Sequence, residues 1–205
     1  MLLKKSIAKS IETDKNKFEI VVVGVSAGGA KALKTLLSSF SIGFPLPIVI
    51  VQHLHKDSDD YYLQNLQKCC SLKIIEAADK DLIKPGFVYF APANYHVLVE
   101  NNKAFSLSND EKINYARPSI DLLFETASYV YGNKIVGTIL TGANSDGSKG
   151  LRIIKEVGGL AIVQDPKTAE YDSMPVAAIS VTQIDNILSL EKIGPFIEET
   201  IRRNR

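Results

Sequence analysis

The chain has only two cysteines, and they are adjacent, Cys69 and Cys70. Neighbouring cysteines supply neither a disulfide framework nor metal-site spacing, so both read as free thiols in or near the core. Charge of one sign is also missing: 24 Lys and Arg face 23 Asp and Glu, for a net charge of +1. That balance draws the chain neither to nucleic acid nor to an anionic membrane surface. No apolar run approaches the roughly 18 residues of a spanning helix, so no membrane insertion is expected. The first residues, Met1-Leu-Leu-Lys-Lys-Ser-Ile, lack the apolar stretch of a secretory signal, and the expected location is the cytoplasm. Residues 1–16 read as a polar lead-in and 17–205 as one domain, with no repeat or linker to divide it.

What is present is an alternation of strand-like and helix-like runs. Strands are predicted over 18–23, 45–52, 134–140 and 160–163, and helices over 28–39, 57–69, 119–131, 147–157 and 189–203. In the middle, Phe87–Ala91, His96–Glu100 and Lys103–Leu107 are short strands, and Asn101-Asn102 suits a tight turn between the last two. The expected fold is α/β: a doubly wound, mainly parallel sheet with helices on both faces and a small antiparallel hairpin.

The first strand runs straight into Gly24-Val-Ser26-Ala-Gly28, and a helical pattern follows. A strand–turn–helix around Gly-x-Ser-x-Gly is the setting in which a serine is held on a sharp turn as a nucleophile, facing a helix N-terminus that favours a developing oxyanion. A dinucleotide fingerprint would need glycine where Ser26 stands, and a P-loop would need Gly-Lys-[Ser/Thr] where the chain has Gly29-Ala-Lys31-Ala. The bland alternative is a βα turn with a serine cap.

Two more strand ends carry complementary side chains. The second apolar strand ends in Gln52-His53, and a later one in Thr141-Gly-Ala-Asn-Ser-Asp146-Gly147. In open α/β sheets the ligand crevice lies beyond the carboxyl ends of the strands, so one crevice can hold Ser26, His53 and Asp146. There the imidazole acts as base and the carboxylate orients it. A capping histidine and an everyday Asp-Gly turn are the local alternatives. No histidine follows Asp146, which excludes the α/β-hydrolase order, where histidine comes last.

Together with Phe90-Ala-Pro92, His96-Val-Leu-Val-Glu100, Arg117-Pro-Ser-Ile-Asp121, Gly150-Leu151, Val163-Gln-Asp165 and Met174-Pro175, these segments resemble the catalytic domain of the CheB family of chemotaxis protein-glutamate methylesterases. The resemblance runs in order over about residues 18–190. It implies Ser26 as nucleophile, His53 as general base and acid, and Asp146 as orienting carboxylate. It also implies hydrolysis of γ-glutamyl methyl esters on the cytoplasmic helices of methyl-accepting chemoreceptors, deamidation of particular receptor glutamines, and no metal or organic cofactor. Backbone N–H groups of Ala27 and Ala143 are the candidate oxyanion donors, and Arg117 the candidate contact to an acidic substrate segment or a structural ion pair. Where the family usually has Gly-Met-Gly ahead of the Asp-Gly pair, this chain has Gly142-Ala-Asn144-Ser145. Residues 1–16 are too few for the phospho-receiver domain of regulated members, since domains need about 50 residues. That leaves a stand-alone enzyme, a piece of a larger hybrid, or a relative with another protein substrate.

Two rivals remain. His53-Leu-His55-Lys-Asp57-Ser-Asp59-Asp60 resembles a metal-hydrolase cluster, but only His96 remains as a further imidazole, and the run equally suits the charged first turn of a helix. His96 is expected to have a structural hydrogen-bonding role. From another class, a catalytically silent module of the same fold would dock on receptor helices without reacting.

Overall fold

The computed structural model describes residues 18–53 and 61–203. The first half comprises β1 (Ile20–Val25), α1 (Gly29–Ser38), β2 (Ile48–Gln52), α2 (Tyr61–Gln67), β3 (Lys73–Glu76) and β4 (Phe87–Phe90). A hairpin of β5 (His96–Val99) and β6 (Phe105–Ser108) follows, then α3 (Ile120–Tyr131) and β7 (Ile135–Ile139). The chain finishes with α4 (Ser148–Glu156), β8 (Leu160–Gln164), α5 (Ser173–Val181), β9 (Asn186–Leu188) and α6 (Leu190–Arg203).

Seven strands form one sheet in the order β3-β4-β2-β1-β7-β8-β9, every neighbouring pair parallel. Every residue of β1, β2 and β7 is buried, as expected of strands covered on both faces. Side chains alternate between two cores. Val21, Val23 and Val25 face Leu33 and Leu36 of α1 and Ile193 and Ile197 of α6. Ile20 and Val22 face Ile120 and Phe124 of α3 and Leu151 and Ile154 of α4. The antiparallel pair β5–β6 stands apart from the sheet and adds Val97, Val99 and Phe105 to the second core.

The doubly wound class and the hairpin match the expectation, with differences in detail. Phe87–Phe90, grouped by sequence with the hairpin, pairs in parallel with β2 and β3 inside the main sheet. Three elements were not predicted. β3 is a half-exposed edge strand with two apolar residues, β9 has three residues, and α5 carries Pro175 in its first turn and no clear apolar stripe. Of the helix predicted over 57–69, Tyr61–Gln67 is observed; residues 57–60, like the lead-in 1–16, lie outside the described residues.

The switch in strand order falls at β1, with β2 on one side and β7 on the other. Such a switch opens a crevice at the carboxyl ends, and α3 packs on α4 to close one wall of it. Gly150 sets how closely those helices approach: a Cβ there would lie 2.5 Å from the Phe124 Cβ and 3.0 Å from the Asp121 carbonyl oxygen. Gly150→Ala is expected to destabilise the protein by about 1–3 kcal/mol through overpacking, read as a lower urea midpoint at unchanged slope. A midpoint equal to wild type would show that the helices separate without cost.

Candidate active site

The turn after β1 is held from β7. The Ser26 N–H donates to the Thr141 carbonyl at 3.0 Å, and the Thr141 hydroxyl reaches the Ala27 carbonyl at 3.0 Å. Thr141 is itself fixed by the buried Gln164, whose Oε1 accepts its N–H at 2.9 Å. The left-handed residue of the turn is Gly28, at φ 78°, which also caps α1. Ser26 is not among the residues with positive φ, so the backbone strain expected at a serine elbow falls instead on a glycine, which bears it cheaply. Ser26 does not cap the helix either, and its hydroxyl is left to face the neighbouring strand.

There it meets His53. The Ser26 Oγ is 3.2 Å from His53 Nδ1, and His53 Nε2 is 3.0 Å from Asp146 Oδ2. The carboxylate accepts the Nε2 proton, which leaves Nδ1 with a bare lone pair toward the serine. The residues expected at three strand ends thus form one hydrogen-bonded chain. The imidazole side chain is 15% exposed and that of Asp146 is fully buried.

The Asp146 carboxylate lies against the N-terminus of α3. Its Oδ2 also accepts from the Ile120 N–H at 2.7 Å, and its Oδ1 from the Ser119 hydroxyl and the N–H groups of Asp121 and Gly147, each at 3.1 Å. A helix N-terminus stabilises a carboxylate through its free N–H groups and its dipole. Burial pushes the Asp146 carboxyl up, but hydrogen bonds from His53 and from the Ile120 and Asp121 N–H groups outweigh it and hold the group below the usual carboxylate range. Asp121 behaves oppositely: burial raises its carboxyl, the Asp146 charge adds to the rise, and the Gly150 N–H opposes it. Sequence reasoning missed Ser119 and these backbone donors, although Pro118-Ser119 ahead of a helical pattern is a helix-start signal.

The other expected residues fall as follows. The Ala27 and Ala143 N–H groups have no hydrogen-bond acceptor among the described residues. Gly142, next to Ala143, packs so closely that a Cβ would lie 2.9 Å from the Ser26 Cβ, so this loop borders the serine. Of the two readings of Arg117, the ion pair is not found: its Nη1 donates to the carbonyls of Asn109 and Asp110 at 2.6 and 2.8 Å, and no carboxylate pairs with it among the described residues. The guanidinium fastens the loop before α3. His96 is fully buried and bonds two backbone groups, accepting from the Ser119 N–H and donating to the Glu111 carbonyl, both at 3.1 Å. His55, Asp57, Asp59 and Asp60 lie outside the described residues.

One residue without an expected role also touches the site. Asn144 Nδ2 lies 3.1 Å from His53 Nδ1, and its Oδ1 accepts the Asp146 N–H at 3.0 Å. Beside the serine turn is a small cavity of about 210 Å³ lined by Gly28, Lys31, Thr141 and Glu170. The roughly 270 Å³ cavity lined by Phe18, Pro47, Tyr131 and Ile201 opens at the other end of the strands, away from this chemistry.

Known proteins share this sequence and fold. Residues 21–197 match the family described as CheB methylesterase. A Leptospira interrogans protein, provisionally named protein-glutamate methylesterase/protein-glutamine glutaminase, is 57% identical over 177 residues, covering 86% of this chain and 92% of its own. A protein of that name from Trichodesmium erythraeum is 38% identical over 91% of this chain but 53% of its own, so the chain spans about half of that relative. The crystal structure of the Thermotoga maritima CheB methylesterase catalytic domain superposes with a TM-score of 0.85 at 35% identity, covering 89% of this chain and 98% of that one. With the match extending across both halves of the sheet and all three strand ends, the chain belongs to the CheB methylesterase family.

Proposed function

We propose that the chain is a serine esterase that removes methyl groups from glutamate side chains of chemoreceptor cytoplasmic helices, and that it also deamidates receptor glutamines. The observation that carries this reading is the Ser26 Oγ–His53 Nδ1 contact at 3.2 Å, with Asp146 on the opposite ring nitrogen. His53 takes the serine proton at Nδ1 as Oγ attacks the ester carbonyl. The N–H groups of Ala27 and Ala143 bind the tetrahedral oxyanion; such donors are each worth roughly a hundredfold or more in rate. His53 then passes its proton to the departing methoxide oxygen as the C–O bond breaks, releasing methanol. Water, deprotonated by the same nitrogen, hydrolyses the acyl-enzyme and restores the carboxylate and Ser26. With a glutamine side chain the same steps release ammonia.

The relatives' names and the family match support this substrate class. Its site of action would be the cytoplasm; among the described residues no helix is long and apolar enough to cross a membrane. A silent docking module has no use for a buried carboxylate holding an imidazole against a serine. The test is methanol release from methylated chemoreceptor membranes, with and without excess chelator. Release that survives chelation is expected, and its absence with folded wild-type protein would overturn the substrate assignment.

A further inference from the structure

The lone pair on His53 Nδ1 has two suitors. Ser26 Oγ lies 3.2 Å from it and Asn144 Nδ2 lies 3.1 Å from it. A neutral imidazole nitrogen has one in-plane lone pair, so each N–H···N interaction formed by Asn144 is made at the expense of the serine. The orientation of the Asn144 amide is set independently, because its oxygen accepts the Asp146 N–H at 3.0 Å. Its NH₂ group therefore points to the ring, where it serves as a donor only.

That donor suits one protonation state. When Nδ1 takes the proton of Ser26, a ring N–H faces the amide N–H, donor against donor, and the bond is lost. An interaction made in the resting enzyme and absent from the transition state raises the barrier. Building on the reading of Ser26 as nucleophile and His53 as base, we propose that Asn144 is a positioning residue that latches His53 in the resting enzyme and is displaced when the serine reacts. Asn144 is exposed, so its side chain has solvent to swing into when substrate enters, exchanging its bond to the Asp146 N–H for water.

The test is the rate at which Ser26 is labelled by a fluorophosphonate, a reaction in which Oγ bonds phosphorus, fluoride leaves and the proton passes to Nδ1. This rate does not depend on the identity of the natural substrate. Asn144→Ala and Asn144→Gly are each expected to label about threefold to tenfold faster than wild type, the range of one neutral hydrogen bond removed from the resting state alone. Asn144→Asp keeps an acceptor for the Asp146 N–H but sets a carboxylate against Nδ1. It favours a ring already protonated there, and labelling is expected to slow by at least tenfold.

A merely structural role would slow all three variants. Labelling of the Ala and Gly variants at or below the wild-type rate, with circular dichroism and melting unchanged, would overturn the latch. So would an Asp variant as fast as wild type. The two small replacements guard against one of them failing to fold. A wild type that labels at Ser26 yet releases no methanol would remove the receptor substrate and leave the latch standing; a wild type that does not label would remove both.

Discussion

Ser26→Ala is expected to lower methanol release by more than roughly ten-thousandfold while leaving the unfolding free energy within about 0.5 kcal/mol of wild type. The two halves of that expectation have separate causes. Among the described residues the Ser26 hydroxyl bonds only His53, and the bonds that hold the turn run through the backbone: Ser26 N–H to the Thr141 carbonyl, Gly29 N–H to the Ser26 carbonyl, and the Thr141 hydroxyl to the Ala27 carbonyl. Alanine keeps the backbone bonds and removes only the atom that attacks. What survives is the oxyanion site and binding alone, which without a nucleophile give little turnover. Receptor membranes and urea unfolding supply the two readouts. A variant that retained a hundredth of wild-type release would mean that water, activated by His53, attacks directly, and the acyl-enzyme would have to be abandoned.

The positions of the three interacting side chains were legible because each follows a β-branched, mostly apolar run. Val21–Val23, Ile48–Val51 and Ile135–Ile139 mark buried parallel strands, and the chemistry of such a sheet lies at their carboxyl ends. A residue type was enough there, since only a hydroxyl, an imidazole and a carboxylate suit the sequence of roles. The cradle of Asp146 was less legible. The N–H groups of Ile120, Asp121 and Gly147 belong to the backbone and carry no residue identity; only the docking of the α3 N-terminus against β7 brings them together.

Direction was the other missing quantity. Arg117 has a charge that suits an acidic substrate, yet its guanidinium turns back to the carbonyls of Asn109 and Asp110. Asn144 has no periodic signal, and its contact with His53 arises because the Asp146 N–H fixes its amide. Among the elements, β3 and β9 are short and partly exposed, so the patterns that identify buried strands are too weak in them to register.

Asp146→Asn is expected to lose about ten-thousandfold in kcat and, unlike Ser26→Ala, about 1–3 kcal/mol of stability at pH 7. The carboxylate accepts at both oxygens: His53 and Ile120 on Oδ2, and Ser119, Asp121 and Gly147 on Oδ1. An asparagine offers one oxygen. Placed toward Oδ1, it keeps the more numerous donors but turns its NH₂ to the Ile120 N–H and to His53. The buried Ile120 N–H then lacks an acceptor, the origin of the stability cost. His53 is driven to the other tautomer, accepting at Nε2 and carrying its proton on Nδ1, where it can no longer deprotonate Ser26. The pH dependence separates charge from packing. Because the folded Asp146 carboxyl lies below its ordinary value, its contribution is present above the unfolded carboxyl's pKa of about 3.9 and is lost as pH falls through the lower folded value. The stability gap between wild type and Asp146→Asn should therefore narrow in acid, in urea titrations carried from pH 7 down to about pH 3. A gap that stayed constant or widened would mean that the carboxylate charge does not hold this site together, and that the imidazole is oriented by packing instead.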